Sequence, residues 1–156
     1  AAQTASPPPE QHRGRMAEDK VIQEQETIYL VEDDASLRTA VRRLLRSAQY
    51  RVLTFASAEE FYRSDFRTSP GCLLLDIRLP GISGFDLQSR LIDAGIRMPV
   101  IFITGQDRAG MEEYARQLGA SAYLRKPVDE ETLLAAIRQA MKPVSQDSGL
   151  DSSGNA

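Results

Sequence analysis

The sequence predicts an α/β fold, a single doubly wound sheet of five parallel strands built from five βα units. Three observations lead there. Short apolar runs alternate with longer amphipathic ones, and the alternation repeats five times between residues 27 and 141. The middle runs, 72–75 and 100–103, are apolar without a two-residue period, which is how a strand covered on both faces of a parallel sheet reads. Five units are too few to close an eight-stranded barrel, so right-handed crossovers leave the sheet open.

Each element has its own signal. Ile28-Tyr29-Leu30-Val31 is the first strand, and Leu37, Ala40, Val41, Leu44, Leu45 and Ala48 follow it at spacings of three and four, the apolar face of a helix. The opposite face of that helix carries Arg38, Arg42, Arg43 and Arg46, a stripe read either as a solvated face or as a docking surface. Val52-Leu53-Thr54-Phe55 is the second strand. Ser57 with Glu60 three residues on forms a capping box that starts a short second helix and turns Phe61 inward. Cys72-Leu73-Leu74-Leu75 is the third strand, and its helix carries Phe85, Leu87, Leu91 and Ile92 before Gly95 stops it. After the fourth strand, Val100-Ile101-Phe102-Ile103, a fourth helix holds Met111, Tyr114, Ala115 and Leu118 ahead of Gly119. Ala122-Tyr123-Leu124 is the last strand, and Asp129 caps a fifth helix with Leu133, Leu134, Ile137, Ala140 and Met141.

Composition narrows the chemistry. The 156 residues are 42% apolar and 26% charged, the profile of one globular domain. No apolar run reaches the length of a bilayer span and none at the start resembles a secretory signal, so a cytoplasmic location without membrane contact is the expectation. With Cys72 alone there is no intramolecular disulfide, and with His12 alone, in a Pro/Gln-rich stretch, the domain must work without imidazole. Zinc sites, Ser-His-Asp and Cys-His catalysis and phosphohistidine carriers are thereby excluded. Between residues 27 and 141 we count 15 basic and 15 acidic side chains, a balance that argues against nucleic-acid binding by this domain itself. Residues 1–26, with three consecutive prolines and few large apolar side chains, read as a disordered leader in which Met16 resembles a natural start. Residues 143–156 read as a flexible linker or tail, which leaves 27–142 as the domain.

In an open parallel sheet, ligands collect beyond the carboxyl ends of the strands, where the strand order reverses. Just past the five strands stand Glu32-Asp33-Asp34, Ala56-Ser57, Asp76, Thr104 and Arg125-Lys126. In the common order 2-1-3-4-5 the first and third strands are neighbours, so Asp33, Asp34 and Asp76 converge with Thr104 and Lys126 beside them. Three carboxylates in one crevice repel, and Lys126 balances only one charge. A hard, oxygen-liganded cation, Mg²⁺, balances the rest. A carboxylate can also attack phosphorus to give an aspartyl phosphate, for which Asp76 with Thr104, Lys126 and Mg²⁺ is a complete set.

Four segments carry a family resemblance: YLVEDDASLR at 29–38, CLLLDIRLPGISGFDL at 72–87, VIFITGQ at 100–106 and GASAYLRKPV at 119–128. Together they resemble a response-regulator receiver domain, CheY-like in fold within the wider flavodoxin-like architecture, with wording most like the FixJ-type transcriptional regulators. The resemblance implies that Asp76 is the phosphoacceptor, that Asp34 is a direct ligand of Mg²⁺, and that Asp33 acts on it largely through water. It implies that the backbone carbonyl of Arg78 is a further metal ligand. Thr104 becomes the switch hydroxyl, Tyr123 the switch aromatic, and Lys126, joined to Pro127 by a cis bond, the lysine that pairs with the phosphoryl group. Arg78 and Gln106 fall at the positions that tune its lifetime, and Gly105 keeps the approach open.

The implied function is a switch in a two-component system. A sensor histidine kinase supplies the phosphoryl group, and movement of Thr104 and Tyr123 repacks the face of the fourth helix, fifth strand and fifth helix, with homodimerisation there on phosphorylation. Output is either a helix-turn-helix DNA-binding domain outside this sequence or docking by a stand-alone receiver. Each motif also has a plain structural reading. Glu32-Asp33-Asp34 can cap the first helix, Asp76 can form a turn before Pro80-Gly81, Lys126-Pro127 and Thr104-Gly105 can be turns, and Tyr123 can be packing. It is their convergence on one end of one sheet that favours chemistry. An aspartyl phosphatase of the haloacid-dehalogenase kind is the enzyme alternative, but Arg78 stands where it needs a second carboxylate. A flavodoxin-like phosphate binder would want a Ser/Thr/Gly-rich loop where Glu32-Asp33-Asp34 lie.

Overall fold

The computed structural model of the chain describes residues 26–142; the expected leader, Glu26 aside, and the expected tail lie outside them. Within that span β1 (Thr27–Val31), β2 (Arg51–Phe55), β3 (Gly71–Asp76), β4 (Val100–Thr104) and β5 (Ala122–Arg125) alternate with α1 (Ala35–Ser47), α2 (Ala58–Tyr62), α3 (Gly84–Asp93), α4 (Met111–Gln117) and α5 (Glu130–Ala140). A short 3₁₀ turn, Phe66–Thr68, follows α2. The strands form one sheet in the order β2-β1-β3-β4-β5, every pair parallel, as the sequence predicts.

Alternate residues along each strand serve opposite faces. Ile28, Leu30, Cys72, Leu74, Ile101 and Ile103 pack with Leu45 of α1 and with Leu133 and Ile137 of α5. Tyr29, Val31, Leu73, Leu75 and Phe102 pack with Phe61, Phe66, Leu87, Leu91 and Ala115 on the other side. All six residues of β3 are buried, because helices cover both faces of the central strands. The edge strand β2 is only half covered, and Leu53 on it is 40% exposed.

Caps set the helix ends where the sequence indicated. Ser57, Ser83 and Asp129 accept from the backbone N–H three residues on, at 3.1 Å each. Glu60 closes its box one residue further back than the reciprocal pattern, accepting from Ala56 N–H at 3.0 Å. Gly95 and Gly119 follow α3 and α4 with positive φ. The apolar face of α1 is buried less than its spacing suggests. Leu45 alone is fully buried and Ala40 is exposed, while Leu37, Val41 and Leu44 line an open cleft of about 550 Å³ against Pro127, Val128 and Leu133.

Candidate functional site

Parallel pairing brings the strand ends together. Val31 lies opposite Leu75, so Glu32 and Asp33 emerge beside Asp76; Asp76 lies opposite Ile103, which puts Thr104 one residue beyond it. Lys126 leaves β5 next to Thr104, its backbone N–H donating to the Thr104 carbonyl at 2.8 Å. At the same end of β3, Gly84 lets α3 approach: a Cβ there would stand 2.4 Å from the Asp76 carbonyl oxygen.

The centre is a set of carboxylates around one ammonium. Lys126 Nζ lies 2.9 Å from Glu32 Oε1 and 3.1 Å from Asp76 Oδ2, with both carboxylates almost fully buried. The other Asp76 oxygen accepts from Arg78 N–H at 3.2 Å. Burial pushes the Glu32 carboxyl above its ordinary pKa, against the opposing bonds from Lys126 and from Asp34 N–H. Burial also works against the Lys126 charge, yet Glu32 and Asp76 hold the ammonium above the usual lysine value. Three carboxylates, Glu32, Asp33 and Asp76, have oxygens within 4.8 Å of one another. Two are buried, the third is exposed, and one lysine faces them, so a hard divalent cation fits this oxygen-only set.

The expected pair Asp33 and Asp34 does not match this geometry. Asp34 is the N-cap of α1, its Oδ1 accepting from Leu37 N–H at 3.1 Å, and Glu32 stands in its place beside Asp76. Glu32 is held there by its own second oxygen, which accepts from Asp34 N–H at 3.0 Å, and by Arg38, which donates to the Glu32 carbonyl at 2.7 Å. The capping rule carried the signal. The acid immediately before the first helical turn satisfies backbone N–H groups, which leaves the two before it to face the crevice.

Thr104 is buried, and its hydroxyl accepts from Gln106 N–H at 3.1 Å. The Tyr123 hydroxyl donates to Asp107 Oδ1 at 2.5 Å, while Arg125 Nε donates to Asp107 Oδ2 at 2.7 Å and lies over the Tyr123 ring. Burial, then Asp107, pushes the Tyr123 hydroxyl up to about 12. The bond from Tyr123, then that from Arg125, holds the Asp107 carboxyl below its ordinary value. Asp107 had no role in the sequence reading. The Lys126–Pro127 bond is cis, Arg78 and Gln106 are exposed, and a Cβ on Gly105 would stand 3.5 Å from Lys126 Cδ. Among the described residues no helix is long and apolar enough to cross a membrane.

The profile of the response regulator receiver domain family matches residues 28–138. The response regulator protein TmoT of Ectopseudomonas mendocina is 38% identical over 133 residues, 85% of this chain and 60% of that protein. Nodulation protein W of Bradyrhizobium diazoefficiens is 41% identical over 110 residues, 70% of this chain and 48% of its own length. The chain thus spans about half to three fifths of these relatives. Among solved structures, FixJ-N superposes with a TM-score of 0.68 at 30% identity, covering 75% of this chain and 94% of that one. The response regulator StyR gives 0.72 at 36%, covering 84% and 66%.

Proposed function

The chain belongs to the response regulator receiver family of two-component systems, and from that premise we propose that it is a phosphorylation-dependent switch with Asp76 as phosphoacceptor. The observation that carries this is the ammonium of Lys126 bridging Glu32 and Asp76 beside Asp33. A histidine kinase is the donor. One Asp76 carboxylate oxygen forms a bond to phosphorus as the bond from phosphorus to the donor's imidazole nitrogen breaks, and the imidazole keeps the electron pair. Lys126 lies within reach of the transferred oxygens and pairs with them. Arg78 N–H holds the other Asp76 oxygen and so orients the nucleophile.

Asp33 and Asp76, with Glu32 beside them and the Arg78 carbonyl as a further ligand, would hold Mg²⁺, which supplies charge neutralisation for the transferring group. Asp34 acts as the helix cap. After transfer the Thr104 hydroxyl turns from Gln106 N–H to a phosphoryl oxygen, and Tyr123 follows by leaving Asp107. The α4-β5-α5 face then changes shape and becomes a homodimer contact. Relatives named as transcriptional regulatory proteins support control of transcription as the output, through a DNA-binding domain outside this sequence. The domain is a signalling receiver rather than an enzyme with an external substrate, and its only catalysis is phosphoryl gain and slow loss at Asp76.

The test is intact-mass spectrometry after incubation with acetyl phosphate and Mg²⁺. One phosphoryl adduct is expected, lost in Asp76→Asn and in the presence of chelator. A folded chain that takes up no phosphoryl group would overturn the reading.

A further inference from the structure

We infer that Glu59, on the second helix and outside every motif discussed so far, is a positioning residue that clamps the loop carrying the Arg78 carbonyl and thereby sets the affinity of the site for a divalent cation. The inference rests on the metal reading above.

The clamp is built from both sides. Glu59 Oε2 accepts from the backbone N–H of Ile82 at 3.2 Å, a contact spanning 23 residues of chain. Gly81 beside it has φ +78, and a Cβ there would stand 2.4 Å from the same oxygen, so the glycine supplies both the turn and the seat for the carboxylate. Among the described residues Glu59 takes part in no ion pair within 4.0 Å, and the residue as a whole is half-buried. Its own position is fixed. Ala58 and Phe61 are fully buried on either side of it in sequence, Ser57 caps Glu60 N–H, and Glu60 caps Ala56 N–H.

Leu79 is buried in the core and Ile82 packs against it, while the loop's other hydrogen bonds lie at its ends. Arg78 N–H donates to Asp76 Oδ1, and Gly84 N–H donates to the Ile77 carbonyl at 2.9 Å. Arg78, Pro80 and Gly81 between them are exposed, and the loop shares an open cleft with Asp33. A carbonyl ligand on such a loop keeps its orientation only if the peptide planes of the loop are held as well as its apolar side chains, and Glu59 supplies the side-chain hydrogen bond that does so.

The experiment titrates Mg²⁺ alone into the chain and into Glu59→Ala, Glu59→Gln and Gly81→Ala, by calorimetry and by the amide spectrum. Groups bonded directly to a metal ligand typically change affinity 10–100-fold, and Glu59 acts one bond further out, so Glu59→Ala is expected to raise the Mg²⁺ Kd about three- to tenfold. The Ile82 amide resonance should move and exchange faster with or without the metal. Glu59→Gln, whose carbonyl still accepts from Ile82 N–H, should restore most of the affinity. Gly81→Ala, which evicts the carboxylate, should weaken binding like Glu59→Ala. Ile137→Val, in the core layer on the opposite face of the sheet, serves as the control for general destabilisation and should leave the Kd unchanged. A wild-type chain that binds Mg²⁺ with a Kd unaltered by Glu59→Ala overturns the clamp and leaves the proposed function standing. A wild-type chain that binds no Mg²⁺ overturns the metal reading and the clamp with it.

Discussion

Asp76→Asn should make the metal-free chain more stable, even though it removes a buried hydrogen-bonding charge. Carboxylate oxygens of Glu32, Asp33 and Asp76 lie within 4.8 Å of one another, and two unit charges at that distance near a protein surface repel by about 3.5 kcal/mol. Asp76 takes part in two such repulsions. Against them stands one attraction, to Lys126 Nζ at 3.1 Å, of about 5 kcal/mol on the same scale. Solvent screens the share that involves exposed Asp33, while the cost of burying the Asp76 carboxylate, 5% exposed, adds on the other side. The net relief is about 1–2 kcal/mol, which for a domain of this size raises the melting midpoint by about 4–8 °C. Mg²⁺ should reverse the ranking. At about a hundred times its Kd a ligand stabilises the folded chain by about 2.7 kcal/mol, more than the relief above, and the variant has lost a ligand and forfeits most of this. Thermal unfolding of both chains in chelator and in Mg²⁺ reads the four midpoints. An Asp76→Asn chain that melts below wild type in chelator would refute the reasoning, because it would show that the carboxylates are not in net repulsion.

Two further outcomes follow from groups away from the nucleophile. Burial pushes the Cys72 thiol up to about 12, so the unfolded chain loses that proton first and stability falls as pH rises above about 9, by about 1.4 kcal/mol per unit; urea unfolding between pH 9 and 11 should show a shallower decline in Cys72→Ala, and equal declines would count against it. Asp107→Asn should bring the Tyr123 hydroxyl part of the way down from about 12, because burial, the larger cause, remains while the anion that opposes its ionisation is gone; ultraviolet titration reads this as one tyrosine moving to lower pH, and an unchanged curve would show that the bond is not populated.

Most of the fold was legible because burial on both faces leaves its trace in composition. Cys72-Leu73-Leu74-Leu75 and Val100-Ile101-Phe102-Ile103 have no solvent face, and each is a central strand. The first helix was over-read for the same reason in reverse. Spacing shows which residues share a face, but whether Val41 and Leu44 are buried depends on how closely α5 approaches, and there the structure keeps a cleft. Asp76, Thr104 and Lys126 lie at strand ends, where a parallel sheet gathers them. Glu32, Asp33 and Asp34 are adjacent, and only the backbone at the start of α1 decides that Asp34 turns to the helix. Asp107 and Glu59 left no trace in local pattern, because each meets its partner through a loop whose path the sequence does not spell out.

The pairing of Val31 with Leu75 has a meaning beyond packing. Glu32 and Asp76 are the next residues on the two strands, so the distance between acids more than forty positions apart in the chain is inherited from the alignment of two apolar runs. A parallel strand that slips by one residue exchanges its faces, so Tyr29 and Leu73 would be forced into the layer shaped around Leu30 and Leu74 and the reverse, and the misfit in two close-packed layers forbids it. The fit of each strand between its two packed layers therefore acts as a ruler for the chemistry. Insertions or deletions within β1 or β3 should be the lesions that this domain tolerates least, while the loops at the end of the sheet away from Asp76 remain free to lengthen.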